Sequence, residues 1–220
     1  MVETIGQSRI APRAAEIDET GEFPWDIVEL YRETELFCLM VPEAYGGGGS
    51  DIFTMCVVTE EVAKVDVSCA IILLTQEVFT LPLLEVASEE QQQRYFPQLV
   101  EGKVAALSLT ESGSGSDAAS IRTRAVLDGD HYVINGTKLW TTNGDKADLI
   151  MVFAVTDPEL GANGISTFIV PKGTPGLSFG RVERKMGIRG TSTVEVIYDN
   201  VRVPVADRIG PEGMGFKLVM

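Results

Sequence analysis

Residues 107–117 read L-S-L-T-E-S-G-S-G-S-D and join a strand-like start to a loop of alternating serine and glycine. Glycine lets the backbone adopt a positive φ and approach a ligand without a Cβ in the way. Successive backbone N–H groups in such a loop can hold an anion or the polar edge of a ring. The residue types of this segment therefore suit one wall of a binding site.

A second segment, residues 139–144, reads L-W-T-T-N-G and contains the other candidate side chains. Trp140 and Thr142 fall on one face of a strand by the period of two, so together they offer a flat aromatic wall and a hydroxyl group. Ser108 and Thr110 have the same spacing in the first segment. A core tryptophan beside sheet threonines would show this spacing too, so the pattern alone leaves both a ligand site and a structural role open.

Several well-known catalytic patterns are not matched. Residues 113–118 fit G-x-G-x-x-A, but the dinucleotide fingerprint needs a helix to open there, and an alternating strand pattern follows instead. The sequence has no G-x-x-x-x-G-K-[ST] phosphate loop and no G-x-S-x-G nucleophile elbow. His131 is predicted to be solvated beside a turn, and the basic loop at 185–191 is predicted to be a turn.

The charge balance and the cysteine content restrict the class of protein. The 220-residue chain has a formal net charge of -14, whereas a nucleic-acid surface needs clustered lysine and arginine. Three cysteines without a C-x-x-C motif and a single histidine argue against a metal site and fit reduced, intracellular thiols. We expect no membrane span and no signal peptide, hence a cytoplasmic location, or the mitochondrial matrix for a processed eukaryotic chain.

The first part of the chain, residues 1–104, has the period of α-helices. A Gly-Pro break at residues 21–24 separates the first two helices. Ser50 or Asp51 is predicted to cap the next long helix, and residues 88–91 fit a capping box that opens the last one.

Two further expectations concern the middle of this helical part. The helix after Asp51 is predicted to bury a stripe of Phe53, Cys56, Val57 and Val62. The helix that covers about 68–79 is predicted to be limited by Pro82, because proline lacks the backbone N–H that a helix interior needs.

Beyond residue 104 the apolar period changes to two. Strands are predicted at 121–126, 149–155, 165–170, 177–183 and 193–203. Asp128-Gly129 and Asn135-Gly136 are predicted hairpin turns, and Asn143-Gly144 is a further turn. Short strands with closely spaced turn signals favour a sandwich or a barrel.

These patterns predict a multi-domain α+β fold with three parts. Residues 1–104 form an all-α helical domain, and residues 105–212 form a β-barrel or sandwich domain that carries both candidate segments. Residues 213–220 begin a new amphipathic pattern that stops within its first turns. We interpret the chain as truncated at Met220, before a further helical domain.

The two candidate segments resemble the acyl-CoA dehydrogenase flavoproteins in order and spacing. The motifs that carry the resemblance are L-S-L-T-E-S-G-S-G-S at 107–116, N-G-T-K-L-W-T-T-N-G at 135–144 and M-G-I-R-G at 186–190. Agreement extends to I-A-P-R-A-A-E-I-D at 10–18, V-P-E-A-Y-G-G at 41–47 and G-M-G-F-K at 213–217. The resemblance covers nearly the whole chain and implies that a C-terminal four-helix domain follows the helical and β-barrel domains.

The resemblance also implies FAD as the cofactor and gives roles to single residues. Backbone groups of Leu107 and Leu109 and the Thr110 hydroxyl would meet the polar edge of the flavin ring. Trp140 would pack on the isoalloxazine, and Thr142 would hydrogen-bond near its reactive nitrogen. The remaining cofactor contacts are assigned to Gly115, Ser116 and Thr141. Ser116 would also face the thioester or pantetheine part of the substrate.

The activity that the resemblance implies is α,β-dehydrogenation of an acyl-CoA thioester to the trans-2-enoyl-CoA, as in the catabolism of fatty acids or amino acids. Electrons would pass to an electron-transfer flavoprotein, and the assembled protein would be a homotetramer. The catalytic base would be a glutamate beyond Met220, so the 220-residue chain alone is expected to be inactive and to bind FAD weakly. A flavin-dependent oxidase or monooxygenase of the same fold, and a non-catalytic acyl-CoA-binding or assembly module, remain alternatives.

Overall fold

The computed structural model describes all 220 residues, Met1–Met220. Helices come first and strands follow, which confirms the predicted fold class of a helical region and a sheet-rich region. The α-helices are α1 (Val2–Ile5), α2 (Ala11–Thr20), α3 (Trp25–Glu33), α4 (Ile52–Ala63), α5 (Val67–Val86), α6 (Glu89–Val100) and the short α7 (Gly215–Val219). The strands are β1 (Ala105–Ser108), β2 (Arg124–Asp128), β3 (His131–Thr142), β4 (Leu149–Val155), β5 (Ile165–Pro171), β6 (Leu177–Val182), β7 (Thr193–Pro204) and β8 (Arg208–Ile209).

Helix boundaries follow the capping residues in the sequence. The Asp51 carboxylate accepts a hydrogen bond from the Thr54 N–H at 2.8 Å and opens α4. Ser88 and Gln91 form the reciprocal capping box that opens α6. Gly21, at φ 66°, ends α2 in the left-handed conformation that glycine adopts readily. The predicted caps of both helices and the break after residue 20 are thus confirmed.

The predicted buried stripe of α4 is wrong in three of its four residues. Phe53 is 73% exposed, Val57 is 43% exposed and Cys56 is also exposed, whereas Val62 is buried as predicted. The residues that α4 turns inward are Met55, Val58 and Val62. The apolar residues of α4 lie on almost every side of the helix. Their spacing in the sequence therefore could not decide which side packs against the core.

Pro82 does not limit the helix that contains it, since α5 continues from Val67 to Val86. A proline inside a helix removes one backbone hydrogen bond and crowds the preceding turn. Here Pro82 is itself buried, together with Phe79 before it and Leu83 after it. We attribute the continuation of the helix to this apolar packing.

By length and composition α5 is the one helix that could cross a membrane. Within the fold, 61% of its most apolar 18-residue window is buried. The side chain of Gln76 in this helix donates to the carbonyl of Lys103 and accepts from the N–H of Ala105. The apolar character of α5 is therefore explained by its packing between the helices and the sheet.

The eight strands form one hydrogen-bonded sheet in the order β6-β7-β3-β2-β4-β5-β8, with β1 paired beside β4. Most neighbours are antiparallel, but β1 and β2 both pair with β4 in parallel. Every residue of β4 is buried. Its alternate side chains enter two separate cores, and each core also contains residues of the helical part.

Two predictions about the edges of β2 and β3 are wrong. Asn135-Gly136 is not a hairpin turn but lies inside the long strand β3, whereas Asp128-Gly129 does connect β2 to β3 as predicted. A register shift falls between Ile134 and Gly136, so the Asn-Gly pair marks an irregularity in the strand. The predicted strand at 121–126 begins only at Arg124, because the N–H groups just before it bind a side chain rather than a neighbouring strand.

Replacing Gly136 by alanine is expected to destabilise the chain by about 2–3 kcal/mol, through overpacking and an unfavourable φ. Gly136 has φ 155°, and a Cβ there would lie 2.3 Å from the Thr123 hydroxyl oxygen. Urea unfolding monitored by circular dichroism measures the change. Gly173→Ala is the control, since Gly173 also has a positive φ but a methyl group added there would meet no atom within 4 Å. Equal losses in the two variants would show that the contact with Thr123 is unimportant.

Candidate functional site

The structure brings the two candidate segments side by side. The Leu139 N–H donates to the Thr110 carbonyl oxygen at 2.7 Å. The hydroxyl groups of Ser108 and Thr141 lie 3.0 Å apart and share a hydrogen bond inside the sheet. The end of β1 is thus fastened directly to the end of β3, and the surface between them is a shared wall.

A buried ion pair fixes this junction. The Lys138 ammonium donates to the Leu109 carbonyl oxygen and to Glu111 Oε1, each at 2.8 Å. The Glu111 carboxylate also accepts the N–H of Arg122 at 2.7 Å and that of Thr123 at 2.9 Å. One carboxylate therefore positions the loop, the lysine and the segment that leads into β2.

Burial and charge act in opposite directions on this pair. Burial lowers the pKa of Lys138 to about 8, against the attraction of Glu111. Burial alone would raise the pKa of Glu111, but the charge and hydrogen bond of Lys138, together with the Thr123 N–H, bring it below its ordinary value. Both groups are consequently charged at neutral pH, which is the state in which the pair fastens the junction.

The sequence prediction missed Glu111 and Lys138 as parts of the site. A signal was present, because Tyr132, Ile134 and Lys138 follow the period of two that marks the buried face of β3. A lysine on a buried face needs a partner. Glu111, the acidic residue that follows the strand-like run, was the available partner for this lysine.

Trp140 occupies an unusual backbone conformation for its residue type. Its φ is 59°, in the left-handed region, and it lies in the register shift between Lys138 and Thr141, after which the pairing of β3 with β7 resumes. The ring is 58% exposed to solvent. Non-glycine residues in this region carry strain that is commonly found at functional sites. The bulge presents a flat aromatic surface to the outside instead of to the core.

Trp140 and Thr142 share one face, as predicted from their spacing. That face points outward, because Trp140 is exposed, Thr142 is partly exposed and Thr141 between them is buried. The Thr141 side chain is hydrogen-bonded to Ser108 within the sheet. Any contact of Thr141 with a ligand here must therefore come from its backbone. Ser108 is likewise buried, and β1 ends there, so Thr110 lies in the loop and not on the strand.

Unused hydrogen-bonding groups lie in the loop segment that is paired with the residue before Trp140. The backbone N–H groups of Leu109 and Thr110 have no partner within the chain. Leu107 belongs to β1 and is partly buried. Free donors beside an exposed aromatic ring fit a flat ligand with a polar edge, which is the shape of a flavin. We conclude that the residues present suit FAD.

The serine and glycine loop projects from this wall. Glu111 and Ser114 pair through their backbones and close its base, while Gly115 and Ser116 are exposed. A single 3₁₀ turn at Ala118–Ser120 follows, and no α-helix opens there. The rejection of a dinucleotide-binding helix at this position is confirmed, and Ser116 is left accessible to a ligand.

A cavity of about 690 Å³ opens beyond the end of β3. It lies between the residues that join α2 to α3 and the loop at 182–192, and its lining includes Lys146 and Ser192. The Ser192 carbonyl accepts the N–H of Asn143, which directly follows Thr142. The basic loop at 185–191, predicted to be a turn, forms one wall, where the Lys185 ammonium binds the hydroxyls of Thr191 and Thr193.

Comparison with known proteins agrees with this arrangement. Residues 1–103 match the acyl-CoA dehydrogenase N-terminal domain, and residues 106–201 match the acyl-CoA dehydrogenase middle domain. The chain is 43% identical over 222 aligned residues to cyclohex-1-ene-1-carbonyl-CoA dehydrogenase of Syntrophus aciditrophicus, with all of this chain and 54% of that protein covered.

Solved structures show the same fold. Butyryl-CoA dehydrogenase from Megasphaera elsdenii superposes with a TM-score of 0.94 at 35% identity, over 99% of this chain and 58% of that one. A glutaryl-CoA dehydrogenase of Mycobacterium smegmatis in complex with FADH2 superposes with a TM-score of 0.88 at 30% identity, over 99% and 56%. The chain thus spans little more than half the length of the proteins it matches.

Proposed function

Because the chain belongs to the acyl-CoA dehydrogenase family, we propose that it supplies the helical and sheet domains of an enzyme that oxidises the α and β carbons of an acyl-CoA thioester. The cofactor of the family is FAD. The observation that supports this function best is the outward-facing Trp140 ring beside the free N–H groups of Leu109 and Thr110. When bound, FAD supplies the acceptor for the hydride that leaves the β carbon.

Each residue of the wall has a separate task in this proposal. Trp140 packs against the flat face of the cofactor and fixes its plane. The N–H groups of Leu109 and Thr110 bind its polar edge. The Thr142 hydroxyl would donate a hydrogen bond to the bound ring and would stabilise negative charge on it. Ser116, exposed on the loop, binds the thioester or pantetheine part of the substrate.

Removal of the α-proton requires a base, and the acid at this wall cannot serve. Glu111 is committed to the Lys138 ammonium and to two backbone N–H groups. Its pKa lies below its ordinary value, which makes it a poor proton acceptor. Glu111 is therefore excluded as the base that removes the α-proton.

Trp140→Ala is expected to weaken FAD binding about tenfold, since the stacking surface is lost. Titration of FAD with the chain, followed by flavin fluorescence and absorbance, measures the dissociation constant. Trp25→Ala is the matched control, because Trp25 is the other tryptophan, is also about half exposed and lies in α3. Equal affinities of the Trp140 variant and the wild type would remove the main support for the cofactor site.

We also propose that electrons leave to an electron-transfer flavoprotein, and that the whole protein is a cytoplasmic homotetramer. Anaerobic addition of acyl-CoA to the complete flavoprotein should bleach the flavin absorbance. Rapid reoxidation by an electron-transfer flavoprotein, with slow reoxidation by oxygen, supports the dehydrogenase. Fast peroxide formation would instead identify an oxidase, and binding of CoA esters without any flavin would identify a non-catalytic module.

A further inference from the structure

A second cavity, of about 310 Å³, lies on the sheet domain near the loop that carries Ser116. Arg122 and Arg124 line one side, from the extended segment that enters β2. Val155 and Pro158 line the other side, where β4 ends. No acidic residue contributes to the lining, although the chain has 32 aspartates and glutamates against 18 lysines and arginines. The cavity is therefore a positive site on an acidic protein.

Neither arginine of this cavity has a carboxylate partner. Their side chains form no salt bridge and no hydrogen bond within the chain, and the Nε atom of Arg124 is buried without a partner. By contrast, Arg94 forms a salt bridge with Asp207, and Arg202 forms one with Asp128. An unpaired buried donor of a charged group is costly. Such a pair of guanidinium groups is suited to an anion that comes from outside the chain.

The larger cavity does not offer the same chemistry, although it has more basic residues. Lys146 there is paired with Asp145, Lys185 binds threonine oxygens, and Arg189 donates to the Glu19 carbonyl. Its lining also includes Glu22 and Glu183. Among the basic residues of that lining, only Arg184 has no partner within the chain, whereas both arginine side chains of the smaller cavity are unpaired and no acidic residue lines it.

The segment that holds the two arginines is connected to the candidate cofactor site through Glu111. Glu111 accepts the backbone N–H groups of Arg122 and Thr123, so the same carboxylate positions this segment and Lys138. Arg122 and Arg124 are two residues apart on an extended backbone and project to the same side. The cavity is also near Ser116 along the chain, since its residue Ala119 lies only three positions further on. Three residues span at most roughly 11 Å.

We propose that Arg122 and Arg124 bind a phosphate group of the CoA moiety of the substrate. The guanidinium fork matches phosphate oxygens in two parallel hydrogen bonds. With the thioester at Ser116, the pantetheine arm is long enough to bring the phosphates of CoA to this cavity. The inference rests on the proposed acyl-CoA function and adds to it the residues that recognise the nucleotide end of the substrate.

Calorimetric titration of the complete chain with CoA, dephospho-CoA, pantetheine and inorganic phosphate tests this assignment. The double variant Arg122→Gln and Arg124→Gln is expected to bind CoA at least about tenfold more weakly, with pantetheine binding unchanged. Replacing both arginines by lysine should give an intermediate loss, since charge is kept but the fork is not. Arg202→Gln, which removes one positive charge on β7, is the control and should bind CoA like the wild type.

The arms of the experiment separate the possible sources of the phosphate. If the double variant binds dephospho-CoA as tightly as the wild type does, the arginines bind the 3′-phosphate. If its affinity for dephospho-CoA falls as much as its affinity for CoA, they bind the diphosphate. Either result supports the site. Equal CoA affinities of wild type and double variant would overturn the inference while leaving the proposed function intact. Wild-type binding of inorganic phosphate as tight as that of CoA would overturn the assignment to CoA, and a complete flavoprotein that no acyl-CoA reduces would overturn the function itself.

Discussion

Replacing Lys138 by methionine is expected to destabilise the chain by about 3–5 kcal/mol at neutral pH, which is the usual cost of leaving one member of a buried ion pair without its partner. The Lys138 side chain is fully buried, and that of Glu111 is only 10% exposed. Methionine fills most of the volume of lysine, so the loss reports the uncompensated Glu111 carboxylate and the unbound Leu109 carbonyl. Guanidinium unfolding followed by circular dichroism measures the change.

The same variant should show two further effects. Its loss of stability should shrink as the pH falls, because Glu111 then becomes protonated and is no longer an isolated charge. It should also lose FAD affinity, since Lys138 holds the Leu109 end of the cofactor wall. Lys172→Met is the control, because Lys172 is exposed and binds only the Asp145 carbonyl; a change below about 1 kcal/mol is expected there. A comparable small loss at Lys138 would mean that the pair does not support the site.

The stability of the chain is expected to decrease between about pH 4.5 and pH 7 because of Glu77. This carboxyl group is buried in α5, and burial raises its pKa from an ordinary 4.5 to about 7, against a hydrogen bond that Oε1 accepts from the Leu39 N–H at 3.0 Å. Below pH 4.5 Glu77 is protonated in both states. Between pH 4.5 and 7 only the folded state keeps the proton, so unfolding releases it and becomes easier as the pH rises.

The size of this loss of stability follows from the pKa shift of Glu77. One pKa unit corresponds to about 1.36 kcal/mol, so a rise from 4.5 to about 7 gives a loss of about 3 kcal/mol that is complete above pH 7. Glu77→Gln copies the protonated carboxyl group and should abolish this part of the pH dependence. The variant should therefore be more stable than the wild type at pH 8 and equal to it at pH 4. A constant difference between the two proteins across this range would contradict the assignment to Glu77.

Local chemistry in the sequence was enough to predict the helix caps and the central strands. Asp51 and Ser88 act within one turn of the chain, and the continuous apolar run of β4 can only be buried. The failures arose where distant packing decides. Pro82 is tolerated inside α5 because the helix is enclosed by apolar neighbours, and Gly136 is required by the approach of Thr123 from another segment, not by a turn.

The candidate site divides in the same way. The shared face of Trp140 and Thr142 could be predicted from a period of two, but that period puts them on the same side as the buried Lys138, and only the bulge turns them outward. The pairing of Glu111 with Lys138 joins positions that are 27 residues apart, and no local pattern links them. The arginine cavity was missed because its two walls come from β2 and from the end of β4, which meet only once the sheet is assembled.

The two cores on either face of β4 have a consequence for recombination between relatives. Each core mixes side chains of residues 1–104 with side chains of the sheet. Gln76 of α5 further binds the backbone on both sides of the junction. A chimaera that takes the helices from one relative and the strands from another would therefore place mismatched side chains in both cores. Exchange at this boundary has to carry the contacting faces together, because the two sequence-defined domains pack as one unit.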